Sequence, residues 1–498
     1  MTDIIIRNAQ ILDGTGCETF SADIAIEANK IVELGNLTGL NKAEIEIDAD
    51  GLSVSPGFID THSHDDGAFF RYPGMEFKLA QGVTSVVAGN CGFSAIPGDP
   101  LVDPARASGG ILSGIKEPFR DLNSYFEAVT QVNPAINNMM LVGHNTLRTI
   151  AMGHEQRQPN QQEMNQMKEH VRRNLEQGAC GFSTGLIYTP GKFSQTEEVI
   201  ELATIAGECE ALYTTHMRNE GDHLLDAIDE SLQIGKEGNV HLHISHHKSA
   251  GKANWGKINL SLEKIDAALK ADQRVTLDVY PYTAGSGRMI EYFNLKRINR
   301  DLAEVIRIAS CPAFREYEGK TALDIAKQEQ LDVVDLIHKI LTAPQGEKTL
   351  CIQFIIDEAD VETNLAHKDM MIGSDGIPDL RGQPHPRLFG TFPRILGHYV
   401  RKRGILSLPE AVRRMTSLPA ATFGMKNRGQ VKCGYFADLV MFDPKTIIDT
   451  ATYDAPKQEP LGIQMVIVNG KIALQDGVHS HIGSGKMLRY RQDDYKQG

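Results

Sequence analysis

The chain has 498 residues, with 51 Lys and Arg against 64 Asp and Glu, which gives a formal net charge of −13. That acidity argues against a nucleic-acid or anionic-membrane partner. No basic run offsets it, and no uninterrupted apolar stretch approaches the ~20 residues that a membrane helix needs. The seven cysteines are odd in number and scattered, and the start lacks a basic and then apolar leader, so a cytoplasmic protein with free thiols is expected.

In chain order, 3–8, 10–12, 23–27, 30–34 and 44–48 read as short strands, Ile and Val alternating with polar residues between Gly and Asn breaks. The far end echoes them at 437–442 and 465–473. One small β domain built from 1–54 plus 430–485 is expected, two separate β extensions being the other reading. Between the ends, β-like runs at 54–61, 83–88, 138–143, 179–183, 211–216, 239–245, 274–280 and 369–374 are separated by amphipathic segments such as 161–177 and 196–209. Eight strands alternating with helices predict an α/β chain with a (β/α)8 barrel over 55–429. Positions 281–368 are more than one crossover needs. Helical patterns at 299–309 and 322–342 fill them, so 287–350 is expected to be an inserted subdomain. Active sites of such barrels lie at the carboxyl ends of the strands. The insertion is therefore a candidate lid or specificity wall, unless it is a peripheral surface element.

The polar residues at those strand ends form one chemical set. Strand one ends in His62 and His64, two apart and so on one face, with Cβ atoms roughly 7 Å apart at the strand rise. Strand two runs into Cys91, strand five ends in His216, strand six runs through His246, His247 and Lys248, and strand eight gives Asp375. Imidazole, thiolate and carboxylate on one rim are a transition-metal inventory. His241 and His243 form a second His-x-His, but lie within strand six and read as structural. His144 and Glu220 read equally well as groups that orient ligands and as structural residues.

The motifs Gly-Phe-Ile-Asp-Thr-His-Ser-His-Asp-Asp at 57–66, Gly-Asn-Cys-Gly at 89–92, Gly-Phe-Ser-Thr-Gly-Leu at 181–186 and His-Met-Arg-Asn-Glu at 216–220 stand in this order. They are followed by Ser-His-His-Lys at 245–248, Tyr-Pro-Tyr-Thr-Ala-Gly-Ser at 280–286, Ser-Asp-Gly at 374–376 and Pro-His-Pro-Arg at 384–387. With them the chain resembles the D-aminoacylase (N-acyl-D-amino-acid deacylase) family of the amidohydrolase superfamily over essentially its whole length. Many relatives in that superfamily bridge two metals with a carboxylated lysine at strand four. Here strand four ends in Phe-Ser-Thr-Gly.

The resemblance implies a tight zinc at Cys91, His216 and His246, with His62, His64 and Asp375 beside it as a weaker second site. It implies hydrolysis of the linear amide of N-acyl-D-amino acids, the small-molecule partner. Zinc brings the pKa of bound water to near 7, so hydroxide attacks the acyl carbon. Asp375 carries the proton from that water to the leaving amine. Lys248, Tyr280, Ser286 and Arg387 are implied as partners of the substrate carboxylate, although the loop bearing Arg387 also reads as a surface turn. Arg288, Lys296 and Arg297 stand near Met289 and Leu295, leaving a basic and an apolar side-chain pocket both open. The competing activities are a cyclic-amide hydrolase of the hydantoinase or dihydroorotase type and a dipeptidase for D residues. A non-catalytic relative would have lost ligands that this chain keeps.

Overall fold

The computed structural model describes residues 2–39, 43–103, 112 and 114–492. Among them, eight parallel strands lie side by side in sequence order: Phe58–Asp60, Val83–Ala88, Asn137–Gly143, Gly181–Gly185, Leu212–His216, His241–Ile244, Val275–Val279 and Met370–Ile372. A parallel bridge between Ser63 and Gly376 joins the first to the last and draws the sheet into a barrel. Helices Gln161–Glu176, Thr196–Glu208, Leu224–Glu237 and Ile258–Lys270 follow strands three to six. The first of these shows the local logic. Asn160 caps it through Gln162 N and Glu163 N, satisfying amides that have no partner within the helix. Met164, Met167, Val171 and Leu175 recur at helical spacing, and all four are buried.

Inside the barrel, Ile59, Val87, Met139, Leu141, Leu212 and Met371 form an apolar layer of their own, and strand seven adds polar groups beside it. Along strand seven Val275, Leu277 and Val279 join the main apolar core. The alternate residues Thr276 and Asp278 turn inward to meet His243. On this side the barrel carries hydrogen-bonding groups toward its carboxyl rim.

A second sheet of nine strands joins the two ends of the chain. Thr2–Ile11 pairs with Phe20–Glu27, Ala43–Asp48 and Ser53–Pro56, and Ser53–Pro56 pairs with Leu439–Phe442 of the carboxyl-terminal part. The expected strand at 54–61 is therefore two strands in two sheets. Val54 pairs with Ile11 and Met441, whereas Phe58 pairs with Val83 of the barrel. The switch occurs at Gly57, where any Cβ would collide with the Thr84 side chain.

Between strands seven and eight, Gly285–Arg288, Ile306–Ser310 and Leu350–Gln353 form a third, antiparallel sheet. The helical expectation for 299–309 holds only for Arg300–Glu304. The rest is a strand, because Ile306, Arg307 and Ile308 alternate with period two. The region 322–342 is two helices, Ala322–Glu329 and Val333–Thr342. They are parted by Gln330 at φ 56°, and Asp332 caps the second through Val334 N. The insertion has its own apolar core, containing Met289, Ile308, Ile325, Leu336 and Ile340. No helix among the described residues is long and apolar enough to cross a membrane.

Candidate metal centre

The structure brings His62, His64, Cys91, His216, His246 and Asp375 together at the carboxyl rim, all buried. Cys91 Sγ lies 3.2 Å from His62 Nε2, 3.7 Å from His216 Nδ1 and 3.4 Å from His246 Nε2. Two overlapping triads result, His62–His64–Cys91 and Cys91–His216–His246, with the donor atoms of each within 4.8 Å of one another. Zinc–nitrogen bonds of about 2.0–2.1 Å and a zinc–sulfur bond of about 2.3 Å, at a tetrahedral angle, put N and S roughly 3.6 Å apart. The spacing and the donor chemistry both fit zinc. Asp375 stands against the first triad, its Oδ1 3.2 Å from His64 Nε2 and 3.6 Å from His62 Nε2.

The loops that present these groups are bent into unusual backbone. Cys91, His246 and Asp375 have φ of 55°, 36° and 49°, a region that costs a residue with a side chain about 1–3 kcal/mol. Each bend is tied down. Asp66 accepts from Gly89 N and Ala95 N, at 3.1 and 2.9 Å, and so clamps the Cys91 loop. Asp278 accepts from His246 N at 2.5 Å, and its other oxygen lies 2.8 Å from His243 Nε2. Asp375 N donates to His62 O at 2.8 Å. Its neighbour Ser374 is held by Asp60, which pairs with the buried Lys78 at 2.6 Å. Strand four ends in Gly185 for a related reason: a Cβ there would collide with the Cys91 carbonyl oxygen.

The electrostatics favour a cation at the centre. Burial alone would raise the Cys91 thiol, but the imidazoles of His62 and His246 outweigh it and hold it well below the usual thiol range. Burial would lower His64, but Asp375 and Cys91 pull its imidazole up to about 9. Burial likewise opposes ionisation of Asp375, and Arg387 and His64 overcome it, holding the carboxyl well below its usual range.

Neighbouring residues sort clearly. His246 meets Cys91, whereas His247 turns away to Asn364 and Ser261. Glu220 reaches His246 Nδ1 at 2.9 Å and His216 Nε2 at 3.5 Å, and also pairs with Lys248. His144 instead pairs with Glu198, which holds Arg148. His241 meets Thr276, while His243 bonds Asp278. Asp278, which also lies 3.6 Å from His62 Nδ1, is missing from the sequence reading. A carboxylate buried between Leu277 and Val279 of strand seven is its signal.

Arg387 is 1 % exposed and opens the helix Arg387–Arg394, so it does not sit in a surface turn. Its Nη1 lies 2.9 Å from Asp375 Oδ2, its Nη2 donates to Ser286 O, and its guanidinium stacks on the Tyr280 ring at 4.5 Å. Its Nε has no hydrogen-bond partner among the described residues. Lys248, Tyr280, Ser286 and Asp375 line a cavity of about 1030 Å³. Arg288 pairs with Glu291, Lys296, Arg297 and Leu295 are exposed, and Met289 is in the insertion's core; none of these five lines the cavity. Tyr188, on the loop after strand four, and Tyr292, at the end of the short helix Met289–Tyr292, line it instead.

The amidohydrolase family model matches residues 46–309 and 262–474. N-acyl-D-glutamate deacylase of Alcaligenes xylosoxydans xylosoxydans is 40% identical over 98% of this chain and 96% of its own. D-aminoacylase of the same organism is 38% identical over 98% of this chain and 97% of its own. The crystal structure of N-acyl-D-glutamate deacylase from Bordetella bronchiseptica, complexed with zinc and a phosphonate inhibitor, is 37% identical. It superposes with a TM-score of 0.91, covering 98% of this chain and 99% of that one. Fold, ligand motifs and full-length identity agree: the chain belongs to the amidohydrolase family, in its D-aminoacylase branch.

Proposed function

We propose that this protein hydrolyses the amide of N-acyl-D-amino acids to a carboxylate and a free D-amino acid, with zinc at the Cys91 triads. The observation that carries the reading is the position of Asp375. One of its oxygens faces the imidazoles of His62 and His64, and the other faces the Arg387 guanidinium. Zinc, when bound, polarises the acyl carbonyl and lowers the pKa of water to near 7.

The side chains do the rest. Cys91, His216 and His246 would hold the tight ion, and His62, His64 and Asp375, with Cys91 shared, would hold a weaker second one. Glu220 orients His216 and His246 from behind. Asp375 accepts the proton of the attacking water and delivers it to the amide nitrogen as the C–N bond breaks. Arg387, with Lys248, Tyr280 and Ser286, takes the substrate carboxylate. A guanidinium pairs strongly with a carboxylate, and with Nη1 facing Asp375 and Nη2 donating to Ser286 O, Nε is the donor left to take one. The D hand is supported by the activities of the relatives. All seven cysteines are free, which supports work in the cytoplasm, where Cys91 stays a thiol or thiolate.

The test is amine release by zinc-loaded protein from paired N-acetyl-D- and N-acetyl-L-amino acids bearing Met, Leu, Phe, Glu and Asp side chains. Turnover of the D series alone is expected. Equal rates on both hands would overturn the stereochemical part, and silence across the panel would overturn the deacylase reading. Arg387→Met should raise KM for acyl amino acids about ten- to a hundredfold, the factor that goes with losing a hydrogen bond to a charged group worth about 1.5–3 kcal/mol. An uncharged amide of the same acid should be affected far less. Equal effects on the two substrates would remove Arg387 from carboxylate binding.

A further inference from the structure

Lys78 stands on the short helix Glu76–Leu79, ahead of strand two, and is fully buried. Its ammonium has three partners: Asp60 Oδ2 at 2.6 Å, Asp65 Oδ2 at 3.0 Å and Ser374 Oγ at 3.2 Å. Burial would lower the Lys78 ammonium, but the two carboxylates outweigh it and raise it, so the charge is kept. Asp60, Asp65 and Ser374 are also buried, and none of the four residues lines the cavity. A buried ion network of this kind is a poor source of stability, since apolar residues of similar volume often serve as well or better. What it supplies is fixed geometry, and its far end is the Asp375 loop. Ser374 N donates to Asp60 Oδ1 at 2.7 Å and Ser374 Oγ to Asp60 Oδ2 at 2.5 Å, while Gly376 N donates to Ser374 Oγ at 3.1 Å. Both neighbours of Asp375 are thus anchored, and Asp375 between them is left-handed at φ 49°.

We propose that Lys78 is a positioning residue for the reaction: through Asp60 and Ser374 it fixes the bend that aims the Asp375 carboxylate. The inference rests on the deacylase reading, in which Asp375 carries the proton, and adds a group that acts on it from behind the cavity wall. One oxygen of Asp375 must face His62 and His64 while the other faces Arg387, so a turn of the loop would spoil both. A reacting group misplaced by about 1 Å costs about 10²-fold in rate. Gln81, three residues further along the same buried segment, provides the contrast. Its Nε2 donates to Leu388 O at 2.9 Å, and its Oε1 accepts from Phe392 N at 3.4 Å. It braces the helix that opens with Arg387 rather than the Asp375 loop.

The experiment compares zinc-loaded Lys78→Met, Ser374→Ala and Gln81→Met with the parent, on the N-acetyl-D-amino acid that the parent turns over best. Zinc content, thermal midpoint, kcat and KM are read on the same samples. Lys78→Met should keep its tight zinc, lose about 10²-fold in kcat and leave KM near the parental value. Ser374→Ala keeps the ion pairs and cuts their link to the Asp375 loop, so it decides the matter if Lys78→Met does not fold. Its kcat should fall about five- to tenfold, the factor that goes with one buried hydrogen bond. Gln81→Met should act mainly on KM, through Arg387. Parental kcat in folded, zinc-replete Lys78→Met or Ser374→Ala overturns the proposal, and so does loss of the tight zinc from either. Matching shifts of kcat and KM in the Lys78 and Gln81 variants also overturn it, because a general loosening acts on both alike. Each of these results leaves the deacylase reading intact. No turnover by the parent overturns that reading, and the proposal with it.

Discussion

Asp375→Asn should keep its tight zinc and lose about 10²- to 10⁴-fold in kcat, the span that a positioned acid–base group contributes. Asp375 lies outside both His/Cys triads, so Cys91, His216 and His246 remain to hold the ion. Asn preserves the shape and one acceptor oxygen but cannot take a proton from water or return one to nitrogen. It also leaves Arg387 without its 2.9 Å anionic partner, so some loss of stability is expected alongside. Metal content and single-turnover rate on the same sample separate the two effects. Full zinc with near-parental turnover would eliminate the shuttle role. Loss of the tight zinc would recast Asp375 as a ligand of that ion.

The second large effect is expected from Cys91→Ala. This thiolate is the one donor common to both triads, so its removal leaves each with two imidazoles. Taking away a group that merely supports a ligand costs about 10–100-fold in metal affinity, and loss of the shared ligand should exceed that range. Zinc should be stripped by a chelator that leaves the parent loaded, and activity should fall to background until excess metal is added. Stoichiometric zinc retained after the challenge would contradict the assignment. Folding should persist, because the Cys91 loop is clamped by Asp66 rather than by the thiol.

Much of this site could be read from the sequence, because its donors follow short apolar strands and are rare residue types in fixed order. What escaped reading was tertiary in origin. The run at 54–61 is buried throughout, but no local pattern says that its first half belongs to another sheet. That is decided by the close approach of Thr84 to Gly57. His144 and Glu220 look alike as strand-end polar residues, yet only Glu220 reaches the ligand imidazoles. Arg387 follows Pro-His-Pro, a turn-like sequence, but the chain folds back there, and its guanidinium meets Tyr280 and Ser286 beneath the insertion. Asp278 was the legible omission. A charge amid Val, Leu and Val is out of place unless something inside the barrel needs it.

The insertion between strands seven and eight has a core of its own, separate from that of the barrel. Of the residues that it turns toward the cavity, Tyr292 and Leu302 also pack against that core, whereas Val305 and, just beyond its last strand, Phe354 lie outside it. Val305 and Phe354 can be exchanged while the Cys91 and histidine loops keep their clamps. The insertion can thus change the residues it shows to the cavity while the loops that carry the histidines and Cys91 stay as they are.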